Sequence, residues 1–174
     1  LKSDLRMFQK ITSTKFNNHE NIIIMGYNTW RSIGKPLKNR INIVISKNHS
    51  KEMCKVNDVL CFQTLKDCFE NIKSINYGKI FIIGGAYLLK EIIKHYFDSI
   101  DIIYQTQIID EVNNFHLQPF NVTFNDLPLI KYEMEKKIEN VKWIKKKEEG
   151  KIFDFKKGKY ITKEIEFSEN IYQN

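Results

Sequence analysis

The sequence predicts an α/β fold, with an open, mostly parallel central sheet flanked by helices and an antiparallel hairpin near the C-terminus. Apolar runs at 22–25 and 80–83 have the length of a strand and are followed by glycine, as strands covered on both faces often are. Such runs alternate with segments of helical spacing, which implies parallel strands joined by helical crossovers. From Leu129 onward, long segments of alternating charge are typical of antiparallel strands at a sheet edge.

The elements of the alternating part are bounded by changes of period and by turn residues. The first helix has Leu1, Leu5 and Phe8 at helical spacing. A second, short helix is ended by Gly34 and Pro36. In chain order we predict a helix at 2–12, a strand at 21–25, a helix at 29–33, strands at 41–45 and 58–62, a helix at 65–72, a strand at 79–83, a helix at 86–95 and a strand at 100–107.

The antiparallel tail is predicted over about residues 129–167. We find no internal repeat and no linker in the sequence that would divide it, so residues 1–174 are predicted to form a single domain. Because the chain opens inside a helical pattern, we expect a further segment upstream. The strands of the tail are expected at 130–137, 141–146 and 159–167, with turns at Gly150 and Gly158.

The composition favours a cytoplasmic globular protein. With 42% hydrophobic and 13% aromatic residues, the chain can build a real core. Its longest apolar runs fall far short of the roughly 20 residues that cross a bilayer, and no signal-peptide pattern opens it, so no membrane partner is expected. Cys54, Cys61 and Cys68 never form a close pair, so we expect free thiols and no metal site.

The formal net charge of +7 raises the question of an anionic partner. Most lysines are spread along the chain or lie in the run 145–147 beside Glu148 and Glu149, which is typical of a solvated face. A nucleic-acid-binding module should instead present clustered basic residues with interleaved aromatic residues. We therefore expect no nucleic-acid partner.

Asp4 needs a chemical explanation, because at helical spacing it falls inside the apolar stripe of the first helix. A carboxylate on an apolar face could hold or exchange a proton near neutral pH, which suits a group that grips a polar heterocycle. The alternative is an acid near the positive end of the helix dipole, pointing to solvent. Periodicity alone leaves both interpretations open.

Glycines and hydroxyls follow the predicted strands at the sheet edge where α/β folds bind ligands. Gly84 and Gly85 join a strand to a helix, where the backbone can approach a phosphate closely. Thr29 at a helix start, and Ser46 with Lys47 at a strand end, could also contact phosphates. Each has a structural alternative: a tight turn for the glycines, a helix cap for Thr29 and a strand-ending turn for Ser46.

Arg40 stands just before a buried strand, in a chain whose basic residues are mostly lysine. A fixed guanidinium there can bind a carboxylate through two parallel hydrogen bonds, and an ordinary surface arginine is the alternative. The histidines are scattered, and no Ser-His-Asp set, paired catalytic carboxylates or metal ligands can be made out in the sequence. Acyl transfer and metal-dependent hydrolysis are therefore disfavoured.

Taken in order, these pieces resemble the dihydrofolate reductase family. The order and spacing match from residue 1 to Thr106, and the tail resembles the closing antiparallel hairpin of the family. The resemblance implies a dihydrofolate reductase-like fold whose first strand and following loop are absent from the sequence. It rests on the segments 1–8 with Thr12, 25–30, 32–37, 40–46 and 82–85, together with Thr106.

The resemblance implies that 7,8-dihydrofolate is reduced to 5,6,7,8-tetrahydrofolate with NADPH, in one-carbon and thymidylate metabolism. Asp4 matches the acidic residue that binds the pterin N3 and 2-amino group and promotes protonation at N5, and Thr106 matches its hydrogen-bonded support, so these two are the predicted catalytic residues. Arg40 matches the anchor for the glutamate carboxylate of the substrate, assisted by Lys35. The substrate-binding residues so implied are Asp4, Leu5, Phe8, Ile33, Lys35, Leu37, Arg40, Ile83 and Thr106.

The resemblance also implies an NADPH site. Lys47 is its candidate partner for the 2′-phosphate, while Tyr27 departs from the family because a basic residue often stands there. The end of the chain, residues 169–174, is similar to the junction that leads into thymidylate synthase in bifunctional members, so a fused or associated thymidylate synthase downstream is expected. The cofactor-binding residues so implied are Asn28, Thr29, Ser46, Lys47, Ile83, Gly84, Gly85, Ala86, Tyr87 and Leu88.

Two alternatives of related fold stay open. One is an inactive reductase-like protein that serves only as a binding partner. The other is a reductase of the same fold that acts on a pyrimidine intermediate of riboflavin synthesis. Such an enzyme would not need Asp4 together with Arg40, so that pair discriminates between the two reductases.

Overall fold

The computed structural model of the chain describes residues 2–49, 55–109, 140–154 and 159–173. These ranges contain helices α1 to α4 and strands β1 to β7. Short 3₁₀ helices at Ile72–Ser74 and Phe97–Ser99 follow α3 and α4. In chain order the elements are α1 Lys2–Ser13, β1 Asn21–Gly26, α2 Tyr27–Ile33, β2 Arg40–Ile45, β3 Val59–Phe62, α3 Leu65–Asn71, β4 Ile80–Ile82, α4 Ala86–Tyr96, β5 Ile102–Ile109, β6 Asn140–Asp154 and β7 Lys159–Gln173.

The chain divides into two compact units. Unit 1 consists of Leu1–Leu5 with Ile93–Asn174, and unit 2 of Arg6–Ile92. Whether the whole chain is a single domain stays a prediction. Among the described residues, no helix is both long and apolar enough to cross a membrane.

Unit 2 is built on a four-stranded parallel sheet in the order β3-β2-β1-β4. The apolar run of β1 lies between β2 and β4, and its residues Ile22 to Met25 are fully buried. A strand in this position is covered on both faces, which is why its sequence is continuously apolar rather than alternating. The prediction of a parallel α/β sheet is confirmed.

One core cluster in unit 2 supports the strand ends at which ligands would bind. Ile33, Leu37 and Ile83, all partly buried, pack against it. The buried cluster therefore holds these three apolar side chains in place. The buried members of the cluster are Ile23, Met25, Trp30, Val44 and Val59.

Unit 1 contains a three-stranded antiparallel sheet in the order β5-β7-β6. The antiparallel tail is thus confirmed, but its two strands are longer than expected, at 15 residues each. Gly150 lies inside β6 opposite Lys163, so the prediction of a turn there was wrong. A glycine permits a turn without requiring one, and the pairing on both sides carries the strand through it. The expected strand at 130–137 and the turn at Gly158 lie outside the described residues.

The strand expected at 100–107 differs from its prediction in two ways. It begins at Ile102, because the 3₁₀ helix Phe97–Ser99 extends the turn before it. It pairs antiparallel with β7, with Thr106 opposite Glu169, rather than with a strand of the parallel sheet. The alternation of helix and strand indicated a strand here but not its partner, since pairing is decided by contacts far apart in sequence.

Helix α2 begins at Tyr27, two residues earlier than predicted. It follows β1 without a loop, because Gly26 is both the last residue of the strand and the N-cap of the helix. Gly26 is extended, and the N-terminus of the helix has no side-chain cap. Thr29 is therefore not the helix cap that was considered as its alternative role, and it lies in the first turn instead. The helix ends as expected at Gly34, whose φ of 76° is left-handed, a conformation that glycine adopts at no steric cost.

Candidate functional site

Asp4 of α1 and Thr106 of β5 meet in unit 1. The Thr106 hydroxyl donates a hydrogen bond to Oδ1 of Asp4, at 2.6 Å, although the residues are 102 positions apart. Both side chains are partly buried. A short bond of this kind to a carboxylate is charge-assisted and holds the group in one orientation. The carboxylate is therefore pinned through one oxygen, while Oδ2 can accept a hydrogen bond from a ligand.

The positions along the apolar stripe of α1 are not equally buried. Leu5, predicted to lie on the stripe and in the substrate site, has a side chain that is 65% exposed. Thr12 is instead the buried residue of this helix, at 1% exposure. Leu5 and Thr12 share one face of the helix, so the elements that pack against the helix decide which of these positions is covered, and periodicity does not reveal them. The substrate contact of Leu5 stays a prediction.

The buried Thr12 contacts Arg40 in unit 2. Nη1 of Arg40 donates to the Thr12 hydroxyl at 2.9 Å, and that hydroxyl donates to the carbonyl of Phe8 at 2.7 Å. Nε of Arg40 donates to the carbonyl of Lys38, also at 2.9 Å. Burial lowers the pKa of Arg40 from its usual value through desolvation. Arg40 is thus a held, partly buried cation, and not the ordinary surface arginine that was its alternative.

Asn42 fixes the backbone that carries Arg40. Its side chain is 2% exposed, and its Oδ1 accepts from the backbone N–H of Leu37 at 2.9 Å. Its Nδ2 donates to the carbonyls of Leu37, at 3.0 Å, and of Arg40, at 2.9 Å. Sequence reasoning missed this residue. The available signal was an amide in the middle of the apolar run 41–45, since a buried amide must find backbone partners.

Glycines meet at the carboxyl ends of β1 and β4. The N–H of Gly26 donates to the carbonyl of Gly84 at 2.7 Å, and the Gly84-Gly85 peptide bond is cis. Gly84 has a φ of 107°, which side chains disfavour, and a Cβ on Gly85 would come within 3.4 Å of the Thr29 hydroxyl. Helix α4 begins directly afterwards at Ala86. Backbone approach, a hydroxyl and the start of an 11-residue helix together form a cradle that fits a phosphate.

Three predicted cofactor residues, two at the start of α4 and one just after β2, differ in their exposure. Tyr87 is 73% exposed at the start of α4, whereas Leu88 is buried at 3% exposure, so a cofactor contact by Leu88 would have to come from its backbone. Ser46 is also buried, and its hydroxyl accepts from the backbone N–H of His49 at 3.1 Å. The Ser46 side chain thus forms the strand-ending turn that was its alternative role.

Further predicted ligand-binding residues are exposed polar side chains. Asn28 and Lys47 are exposed, and Lys35 is exposed in the loop before β2. Tyr27 stacks on His49, with ring centroids 4.0 Å apart and an angle of 13° between the planes. The Tyr27 ring therefore lies against an imidazole.

A family model, several curated relatives and a solved structure point to one family. A family model described as dihydrofolate reductase matches residues 1–153. A bifunctional dihydrofolate reductase-thymidylate synthase from Plasmodium chabaudi is 39% identical over 101 residues, covering 52% of this chain and 17% of that protein. A dihydrofolate reductase from Schistosoma mansoni is 36% identical over 117 residues, covering 65% of this chain and 62% of that protein. The chain thus matches less than two thirds of the length of either relative.

A solved structure shows the same fold. The Schistosoma mansoni dihydrofolate reductase structure superposes with a TM-score of 0.64, covering 99% of this chain and 85% of that one. The sequence identity in this comparison is 23%, so the likeness concerns the fold alone.

Proposed function

The chain belongs to the dihydrofolate reductase family, and from that premise we propose that it is an oxidoreductase that reduces 7,8-dihydrofolate to 5,6,7,8-tetrahydrofolate with NADPH. The observation that carries the proposal is the 2.6 Å hydrogen bond from Thr106 to Asp4. A carboxylate held in this way can accept from ring N–H and amino groups of a bound pterin. The tetrahydrofolate would serve one-carbon and thymidylate metabolism.

Asp4 is the group proposed to act on the substrate. Its carboxylate would accept from N3–H and the 2-amino group of the pterin, and would promote the delivery of a proton to N5. The Thr106 hydroxyl donates its single proton to Oδ1 of Asp4, and this bond keeps the carboxylate from rotating. The reaction needs both a hydride at C6 and a proton at N5, and positioning of the substrate is the contribution of the protein.

Apolar walls and one cation would hold the rest of the substrate. Ile33, Leu37 and Ile83 pack on the core cluster, which suits side chains that must stay in place against flat rings. Phe8 is partly buried and would contribute another wall. Arg40 would hold the glutamate carboxylate, because its guanidinium is already oriented by two hydrogen bonds.

The glycine cradle supports a dinucleotide cofactor. Gly84 and Gly85 would let the backbone approach the pyrophosphate, and the Thr29 hydroxyl lies next to Gly85. The exposed Lys47 is the candidate for the 2′-phosphate that distinguishes NADPH from NADH. When bound, the reduced nicotinamide supplies the hydride, and the residues named here would orient it.

Two further proposals concern the setting of the enzyme. Bifunctional relatives such as the Plasmodium chabaudi protein support a thymidylate synthase fused to or associated with this chain. A cytoplasmic location is supported by the free thiol of Cys68, which suits a reducing compartment. Thymidylate synthase activity that copurifies with the native protein, and cell fractionation, would test these two statements.

The test of the proposed function is an assay of NADPH oxidation with dihydrofolate, using the full-length gene product. We expect oxidation that depends on dihydrofolate. NADPH binding without such turnover would favour the inactive reductase-like protein. Turnover of a pyrimidine substrate in place of dihydrofolate would favour the riboflavin-pathway reductase.

A further inference from the structure

We propose that Thr12 is a positioning residue that sets the direction of the Arg40 guanidinium, so that it determines how tightly the enzyme holds substrates with a carboxylate tail. The inference rests on the proposed function, because it takes Arg40 as the group that binds the glutamate carboxylate. Thr12 itself touches neither substrate nor cofactor in this proposal. It would act only through Arg40.

The neighbours of the Thr12 hydroxyl decide in which hydrogen bond it donates and in which it accepts. A hydroxyl has one proton to donate, and that of Thr12 is donated to the carbonyl of Phe8 at 2.7 Å. Its lone pairs are then left to accept, and Nη1 of Arg40 donates to them at 2.9 Å. Because Thr12 is 1% exposed, water cannot take the place of either partner.

A second threonine on the same stretch shows what sets Thr12 apart. The Thr14 hydroxyl makes the same kind of bond to the carbonyl four residues earlier, that of Lys10, at 2.6 Å. Thr14 is exposed. The bond to the preceding turn is therefore an ordinary local feature, whereas burial and the contact with a guanidinium distinguish Thr12.

Two bonds fix the plane of the guanidinium. Nε donates to the carbonyl of Lys38 and Nη1 to Thr12, each at 2.9 Å. A planar guanidinium that is hydrogen-bonded through two of its nitrogens cannot rotate about the bonds of its side chain without breaking one of these hydrogen bonds. In the described part of the protein, three of its five N–H donors remain, and a carboxylate bound bidentately needs two.

The amide side chains that hold the backbones of Arg40 and Thr12 are buried. Asn42 holds the Arg40 carbonyl, and Asn21 donates to the carbonyls of Thr12 and Thr14 at 3.0 and 2.8 Å. Asn21 and Asn42 are 1% and 2% exposed. The backbone of Arg40 and the backbone of Thr12 are thus each held by a buried amide side chain. The Thr12 hydroxyl connects α1 to the Arg40 guanidinium, so its removal should loosen the guanidinium without unfolding α1 or β2.

The test compares Thr12→Val with Thr14→Val in the full-length protein. Valine keeps the shape of threonine and removes the hydroxyl, and Thr14 is a matched control without a guanidinium contact. The substrates are dihydrofolate and a dihydropterin that lacks the benzoylglutamate tail. We expect Thr12→Val to raise the KM for dihydrofolate about tenfold relative to that for the tailless substrate, with a much smaller change in kcat. Thr14→Val should leave that ratio unchanged, and Thr12→Ser should restore it.

Several results would overturn the inference. An unchanged KM for dihydrofolate in Thr12→Val, or an equal rise for both substrates, would reduce Thr12 to a structural residue. If valine lowers the yield of folded protein, Thr12→Ala removes the same hydroxyl and carries the same expectation. Should the parent protein turn over neither substrate, the proposed function fails and the inference fails with it.

Discussion

The Asp4–Thr106 pair of unit 1 and the Arg40–Thr12 pair of unit 2 each hold a charged side chain with a threonine hydroxyl, but in opposite senses. Thr106 donates to the Asp4 carboxylate, whereas Thr12 accepts from the Arg40 guanidinium. The direction at Thr12 follows from the Phe8 carbonyl, which takes the hydroxyl proton. The same residue type thus stabilises an anion in one unit and a cation in the other.

The chemistry of the two charges differs as well. A carboxylate can take part in proton transfer, whereas a guanidinium stays charged at neutral pH even when burial lowers its pKa, as it does for Arg40. Changes around Asp4 should therefore appear mainly in kcat, and changes around Arg40 mainly in KM. This division can be tested residue by residue.

The largest effect is expected for Asp4→Asn. The amide keeps the size of the side chain but cannot carry the proton role, so we expect kcat for dihydrofolate to fall by about 10²- to 10⁴-fold. The loss should be greatest near neutral pH, where solution supplies fewer protons than at acid pH. Steady-state kinetics would measure it, with the exposed Asp101 of unit 1 changed to asparagine as control. Equal losses in both variants would remove Asp4 from the chemistry.

A smaller fall in kcat is expected for Thr106→Val. The substitution removes the donor at 2.6 Å from the carboxylate, and hydrogen bonds to charged groups contribute about 1.5–3 kcal/mol. That corresponds to a loss of roughly 10- to 100-fold if the bond matters fully in the transition state. Thr106→Ser, which keeps the hydroxyl, should recover most of the activity. If Thr106→Val changes KM but not kcat, the expectation that the Asp4–Thr106 pair acts mainly on kcat is contradicted.

On the other side of the comparison, Arg40→Lys should raise the KM for dihydrofolate by about tenfold, because an ammonium cannot form the bidentate fork. The change in kcat should be much smaller. The matched control is Arg31→Lys on the exposed part of α2, which should behave like the parent. A fall in kcat equal to the rise in KM would show that Arg40 contributes to the chemical step after all.

The smallest effect is expected for Leu5→Ala. Because Leu5 is 65% exposed, the free energy of unfolding should change by no more than about 0.5 kcal/mol. Ile92 of α4, which is 6% exposed, gives the contrast, since Ile92→Ala should cost about 2–5 kcal/mol. Urea unfolding would measure both. A raised KM for dihydrofolate without a change in stability would support the substrate contact predicted for Leu5, and a large loss of stability would contradict its exposure.

Much of the fold could be predicted from the sequence because its signals are local. The apolar run of β1 predicted a doubly covered strand, and its residues Ile22 to Met25 are fully buried. The left-handed Gly34 ends α2 where the turn signal indicated. Gly84 and Gly85 join β4 to α4 as expected. Each of these features depends on neighbouring residues alone, so periodicity and turn chemistry suffice to find them.

The sequence by itself also determined which charged residues needed an explanation, since Asp4 and Arg40 stand out against an apolar stripe and a lysine-rich background. Only the tertiary structure decided which partners hold them. Thr106 lies 102 residues from Asp4, and Thr12 lies 28 residues from Arg40. Such contacts depend on how whole elements pack, and a local pattern carries no information about a distant partner. For the same reason, only the folded chain shows that Thr12 is buried and Leu5 exposed on one helix.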